Sequence, residues 1–330
     1  MEETKAVNSN GTSKNILKTG LANLYDKAGV LIVLLALVIL MSFLSDRFLT
    51  TLNIINLVRQ ISFIALIALG VTCVIITTGI DLSSGSIVGL TSVVVASYAH
   101  PNEYSLVVTL FMGLSVGIAA GLINGFLVAK VGLPPFIATL GMFTSARGLA
   151  MLYSGGRPVS GIKPEFVFLG AGQVFGIPVP IIILIVVAVA MHIMLNKTRF
   201  GRYIYAIGGN EQAAIISGVS VSKVKIAVYA LAGFLASLAG VILTARISSG
   251  QPGLGVGFEL DAIAAAVIGG TSLTGGLGSV MGTLSGALVI GVINNGMDLL
   301  GVSMYWQQIT RGMIIVLAVF LDMQKRKGKG

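Results

Sequence analysis

The chain has 330 residues, of which 10% are charged and 55% apolar, and its net charge is +9. A soluble domain is about one quarter charged, so this much polar surface cannot hold a globule in water, and a soluble fold is excluded. Runs such as VLIVLLALVIL do not alternate as barrel strands would; with 43 glycines to let helices approach closely, they point to an all-α, polytopic helical bundle in lipid.

The first 27 residues are polar and carry four lysines, and the apolar run after Lys27 is long enough to span rather than to be cleaved as a signal. Dividing the remainder at charges, prolines and glycine clusters gives ten candidate spans, each judged against the roughly 20 apolar residues a bilayer requires. They are Ala28–Ser45, Gln60–Thr78, Leu82–Ala99, Ser105–Ala129 and Pro134–Tyr153, the last interrupted by Arg147. A polar loop with Arg157, Lys163 and Glu165 follows, then Val179–Asn196 and Ile226–Ala245. Residues 262–297 are uncharged and contain the turn-prone TSLTGGLGS, which reads as two passes joined near Gly275; Ser303–Leu321 closes the set. The division is therefore a cytoplasmic tail (1–27), a transmembrane domain (28–322) with a cytoplasmic loop at 197–225, and a basic tail (323–330).

Lysine and arginine in short loops stay on the cytoplasmic side. Placing both termini inside assigns 14 of the 21 basic residues to the cytoplasm and leaves Arg47, Arg59, Arg157, Lys163 and Arg246 outside. The positive charge is thus a topology signal and implies no nucleic-acid partner. Cys73 stands alone in an apolar run, and His100 and His192 are isolated, so no disulfide or metal site is expected.

The halves resemble each other. GIDLSSGSIVGLTS at 79–92 is similar to GTSLTGGLGSVMGTLS at 270–285, and GLINGFLVAKVG from Gly121 to GVINNGMDLLG from Gly291. Two five-span halves must face opposite ways, giving the inverted repeats common in transporters. No phosphate-binding loop with its lysine occurs, so ATP is not hydrolysed on this chain.

Polar groups in lipid are costly and default to pairing or function. The charged candidates are Asp81, Arg147, Asp298 and Arg311, with Glu259 and Asp261 at the outer start of the eighth span. Asp81, with Ser83, Ser84 and Ser86, has the composition of a helix cap. Asn124, Thr271, Ser272, Asn294 and Asn295 offer uncharged donors and acceptors for the hydroxyls of a polar solute on a translocation path, and suit hydrogen bonding between helices equally well. In the longest cytoplasmic loop, Asn210 can cap a short helix with Glu211, Gln212, Ala213 and Ala214 in its first turn, ended by Gly218. Between basic flanks that include Arg199 and Arg202 it has the form of a docking element, or of a helix lying on lipid headgroups.

The strings GIDLSSGS, GLPPFIATLGM, RGLAMLYSGG, TRFGRYIYAIGGNEQAAIISGVSVSKVKI, ELDAIAAAVIGGTSLTGG and VINNGMDLLGVS resemble the permeases of ribose-type carbohydrate importers of the ATP-binding-cassette class. The resemblance runs from about Asp26 to Asp322. It implies an inner-membrane permease, best matched to ribose, paired with a second permease copy. A periplasmic or lipid-anchored binding protein would deliver the monosaccharide, and separate cytoplasmic ATPase subunits would drive transport, with no cofactor. It also implies that Gly208–Gly218, with Gly209 and Asn210, holds the coupling helix that enters a groove of the ATPase. Family patterns have Glu-Ala-Ala after the asparagine, whereas Gln212 intervenes here. The rival class is a facilitator or ion-coupled carrier in which an acid such as Asp298 relays protons; an intramembrane enzyme has no clustered His, Ser or Asp set to support it.

Overall fold

A computed structural model describes residues 29–101 and 103–327; the tail expected at 1–27 and the last residues of the basic tail lie outside them. The elements in chain order are α1 (Gly29–Leu44), α2 (Thr51–Ile76), α3 (Ser84–Tyr98), α4 (Leu106–Phe126) with a π-turn at Leu127–Val131, α5 (Pro135–Ser154) and α6 (Pro164–Ala171). A two-residue hairpin, β1 (Gln173–Val174) with β2 (Ile177–Pro178), leads to α7 (Val179–Lys197), α8 (Arg199–Gly209), α9 (Glu211–Ile216), α10 (Val221–Ile247), α11 (Phe258–Ile268), α12 (Val280–Leu299) and α13 (Met304–Lys327).

Local chemistry sets the ends. The hydroxyls of Ser105 and Ser279 accept from Val108 N (3.3 Å) and Gly282 N (3.1 Å), capping α4 and α12. Pro135 and Pro180 occupy first-turn positions in α5 and α7, where a missing N–H leaves nothing unsatisfied. Among the described residues, α2, α4 with its π-turn, α5, α7, α10 and α12 are long and apolar enough to cross a membrane. At 1.5 Å per residue, α11 reaches only about 16 Å, half of a hydrocarbon core of about 30 Å. It is a partial span continued by the irregular loop at residues 269–279.

At the centre α2 packs against α10, and each is also cradled by a helix pair: α10 by α3 and α4, α2 by α11 and α12. α5 leans on α3 as α13 leans on α11. Exchanging α2, α3, α4, α5 with α10, α11, α12, α13 reproduces this packing, the behaviour expected of a duplicated unit. Under that exchange Gly121 on α4 and Gly291 on α12 occupy corresponding places. The other sequence pairing does not: residues 79–92 lead into α3, whereas residues 270–285 lead into α12. Its similarity comes from the glycine and hydroxyl residues that both helix-entry loops need.

α2 is apolar on every face and buried from Ile61 to Ile76, as a helix without a polar side must be. It begins at Thr51, nine residues before Gln60, because Arg59 and Gln60 interrupt the apolar run without breaking the helix. Along α4, Gly113, Gly117, Gly121 and Gly125 recur at every fourth position and face α10. A Cβ on Gly117 would collide with the carbonyl of Gly233, and one on Gly121 with that of Tyr229, so these backbones touch directly. The outward faces of α1, α4, α5, α7 and α13 expose large apolar residues such as Phe43, Phe111, Leu152, Val186 and Val316, the surface a lipid solvent requires.

The loops sort into two ends. At one, Val159 bridges Gly250 and Lys163 reaches the carbonyls of Ala99 and Tyr104. At the other, Ser222 donates to the carbonyl of Ala129 and Gly276 N to that of Ile76. These are the two sets of loops that the charge pattern separates.

Candidate coupling and translocation sites

α8 is strongly amphipathic: Gly201, Ile204, Ile207 and Gly208 are buried, while Arg199, Arg202 and Tyr203 are exposed. Asn210 then caps α9, its Oδ1 accepting from Ala213 N at 2.9 Å. Gly218, at φ 80°, ends the segment, its N–H donating to Ile215 O (2.9 Å). Within this single turn and a half, Ala214 faces inward, whereas Gln212, Ala213, Ile215 and Ile216 are exposed, Ile216 by 87%. Glu211 is engaged by the Nζ of Lys225 at 2.7 Å, tying the start of α9 to α10. The outward face of α9 is thus mostly apolar, carried on a capped helix pinned to α10. The expected cap is present, and Glu211 ties the start of the helix to α10.

The C-terminal end of α8, next to α9, enters the bundle. Gly208 lies against the Ile76 carbonyl, which itself accepts from Gly276 N at 2.9 Å. One turn earlier, the hydroxyl of Tyr205 donates to Gly278 O (2.9 Å). Tyr205, Gly276, Gly278 and Lys225 were not singled out from sequence. TSLTGGLGS reads as a turn but gives no sign of its partner, and a tyrosine in an amphipathic helix resembles any other.

The polar residues proposed for a path are all buried, and the structure gathers them into separate groups. Asp81 Oδ1 accepts from both the N–H (2.8 Å) and the hydroxyl (2.6 Å) of Ser83, and Asn124 Nδ2 donates to the same Ser83 hydroxyl at 2.9 Å. This knot joins the entrance of α3 to α4; Asp81 closes a turn before α3 and makes no bond to the helix N-terminus itself. Asn294 Nδ2 donates to Asp261 Oδ2 (3.2 Å), and Asp261 also faces the Arg311 Nε at 3.5 Å. Asn295 and Asn53 exchange reciprocal amide bonds of 2.9 and 2.8 Å between α12 and α2. On the 269–279 loop, the Ser272 hydroxyl meets that of Thr274 at 3.2 Å. The Thr271 hydroxyl and the Asn124 carbonyl oxygen are buried with no hydrogen-bond partner among the described residues.

Of the charged candidates, Arg147 donates to the carbonyls of Leu254 (3.0 Å) and Pro252, holding the loop before α11. Asp298 sits at the exposed end of α12, accepting from Gln307 Nε2 at 2.9 Å. It is exposed, one helical turn beyond the buried Asn294 and Asn295. No group of three or more His, Cys, Asp or Glu able to hold a metal occurs among the described residues.

Residues 53–319 match the family described as branched-chain amino acid transport system / permease component. The chain is 48% identical over 302 residues to the ribose import permease protein RbsC of Bacillus subtilis, covering 91% of this chain and 94% of that protein. It is 49% identical over 300 residues to RbsC of Escherichia coli, covering 90% and 93%. Against the D-allose transport system permease protein AlsC of Escherichia coli the identity is 40% over 299 residues, covering 90% and 92%. No solved structure matches the chain.

Proposed function

Because the chain belongs to the family of branched-chain amino acid transport system permease components, we propose that it is the membrane permease subunit of an ATP-binding-cassette importer that carries a monosaccharide, ribose, across the bacterial inner membrane. One observation carries this reading: near 48% identity to a ribose import permease along 91% of the chain, too long and even a match to reflect shared glycine-rich helices alone. The allose relative makes the monosaccharide the wider substrate class. The chain is a transport component and not an enzyme; a separate cytoplasmic ATPase supplies the energy, and a periplasmic or lipid-anchored sugar-binding protein delivers the substrate. It works as a pair with a second copy, most simply a homodimer, surrounded by lipid.

Both termini and α9 lie on the cytoplasmic side, as the charge pattern requires. The capped α9, presenting Gln212, Ala213, Ile215 and Ile216, is the part that enters the ATPase, and Arg199 and Arg202 flank it. The exchange-related packing of the two halves supports inverted repeats that rock around a path between them. Of the polar residues, Asn124 and Thr271 retain unpartnered buried oxygens able to take up sugar hydroxyls as the path opens, with Asp81, Ser83 and Ser272 beside them. Asn294 and Asn295 already serve helix pairing.

The test is reconstitution into liposomes with the ATPase and binding protein. Ribose uptake is expected to require ATP and to survive collapse of the proton gradient. Uptake that persists without ATP and disappears with the gradient would establish a secondary carrier instead.

A further inference from the structure

Beside the buried side chains of Ile204 and Ile207, the α8 segment makes one contact that is backbone on backbone. Gly208, at the end of α8, is wedged between the Ile76 carbonyl, the last of α2, and the backbone N–H of Gly276. A Cβ at Gly208 would overlap both. Gly275 packs as closely on the other side, against the Ile76 and Gly208 carbonyls and the Thr78 methyl. The backbone is held in the left-handed region at Thr78 (φ 63°), Gly275 (φ 87°) and Gly276 (φ 73°), a conformation that costs a β-branched residue such as threonine. Three chain segments thus meet backbone to backbone, closed by the Gly276 N to Ile76 O bond (2.9 Å) and the Tyr205 hydroxyl on Gly278 O (2.9 Å).

The three belong to different parts of the machine. Ile76 ends α2, in the first half; the 269–279 loop joins α11 to α12, in the second; and α8 leads directly to α9. From the same junction α2 continues to the Thr72–Thr283 hydroxyl pair (2.7 Å) with α12 and to its packing on α10. Close-packed interiors have low compressibility and transmit displacement, and here the packed atoms are backbone.

We propose that this junction is the transmission joint of the transporter, and that Gly208 is a positioning residue delivering movement of α8–α9 to both halves at one point. The inference rests on the coupling role assigned above to α9. With ribose as the probe, Gly208→Ala and Tyr205→Phe are compared with the unsubstituted chain in liposomes containing the ATPase and binding protein. The readouts are sugar moved per ATP hydrolysed, co-elution of the ATPase, and thermal stability. The ATPase is expected to stay bound in both variants. Sugar per ATP should fall about ten-fold in Gly208→Ala and about three- to five-fold in Tyr205→Phe, the latter without a change in stability. A ratio within about two-fold of the unsubstituted value in both variants, or a fall that merely tracks lost ATPase, would overturn the joint. Should Gly208→Ala fail to fold, Tyr205→Phe alone decides. If Gln212→Arg with Ile216→Arg on the outer face of α9 leaves ATPase binding intact, it is the coupling role of α9 that fails, a result distinct from either outcome above.

Discussion

Replacing Asn295 by leucine removes two hydrogen bonds from the α2–α12 interface and leaves the Asn53 carbonyl oxygen buried, while the Asn53 amide keeps its bond to Phe48 O at 2.9 Å. Side-chain hydrogen bonds between membrane helices couple by about 0.6 kcal/mol on average and up to about 1.7. Two of them place the Asn53–Asn295 coupling at roughly 1 to 3 kcal/mol, and the stranded oxygen makes the single variant cost about as much. Asn53→Leu with Asn295→Leu leaves neither amide stranded, and the loss of the donor to Phe48 O is shared with the Asn53→Leu single variant, so the double variant should be less destabilised than the two singles summed. The assay is a double-mutant cycle by detergent-induced unfolding in mixed micelles, with ribose uptake measured in parallel. The double variant, once folded, should transport within about three-fold of the unsubstituted chain, because the amides it removes bond each other in the unsubstituted protein. A coupling near zero would refute the energetic reasoning. A folded but inactive double variant would show that Asn295 serves the substrate after all.

Along the α4 stripe, Gly117→Ala should destabilise by about 1 to 3 kcal/mol, because its Cβ meets the Gly233 carbonyl. Gly148→Ala on α5, where a Cβ meets nothing within 4 Å, should be neutral or stabilising by up to about 1 kcal/mol; the same unfolding titration compares them. Asn210→Ala removes the α9 cap at a cost of about 1 kcal/mol, so hydrogen exchange at the amides of Ala214 and Ser217 should quicken about five-fold, and unchanged protection would deny the cap its role. Glu211→Arg places a cation against Lys225 in place of a 2.7 Å ion pair. It should abolish uptake while the protein still reaches the membrane, as should Gly209→Pro within the last turn of α8; normal uptake in both would separate α9 from coupling.

The spans were legible because lipid makes them so. A chain that must bury its own backbone hydrogen bonds shows its crossings as apolar runs and its topology as basic loops; each of the ten expected spans has a helix, from α1 to α13. The α9 cap was legible for the same reason of locality, since Asn210 and Ala213 are three residues apart. Local rules misplace the start of α2, whose entry through Arg59 and Gln60 is tolerated within a long helix capped at Thr50. They also pair residues 79–92 with 270–285, which look alike as loops and occupy different places in the fold.

The candidate sites show where sequence stops. Asn124, Asn294 and Asn295 have identical side chains, and nothing local separates a group that binds a sugar from one that holds two helices together. The tertiary structure shows which of their polar atoms already have partners, by bringing Asn53 to Asn295 across 242 residues, Asp261 to Asn294, and Ser83 to only one end of Asn124. Gly208 is likewise one glycine among 43 until Ile76 and Gly276 arrive beside it. Run length, charge placement and caps are set by solvent and near neighbours, so the sequence alone determined that this protein spans a membrane and carries a capped helix in its longest polar loop. Which polar atoms are satisfied, and which backbones touch, depends on residues that only folding makes adjacent.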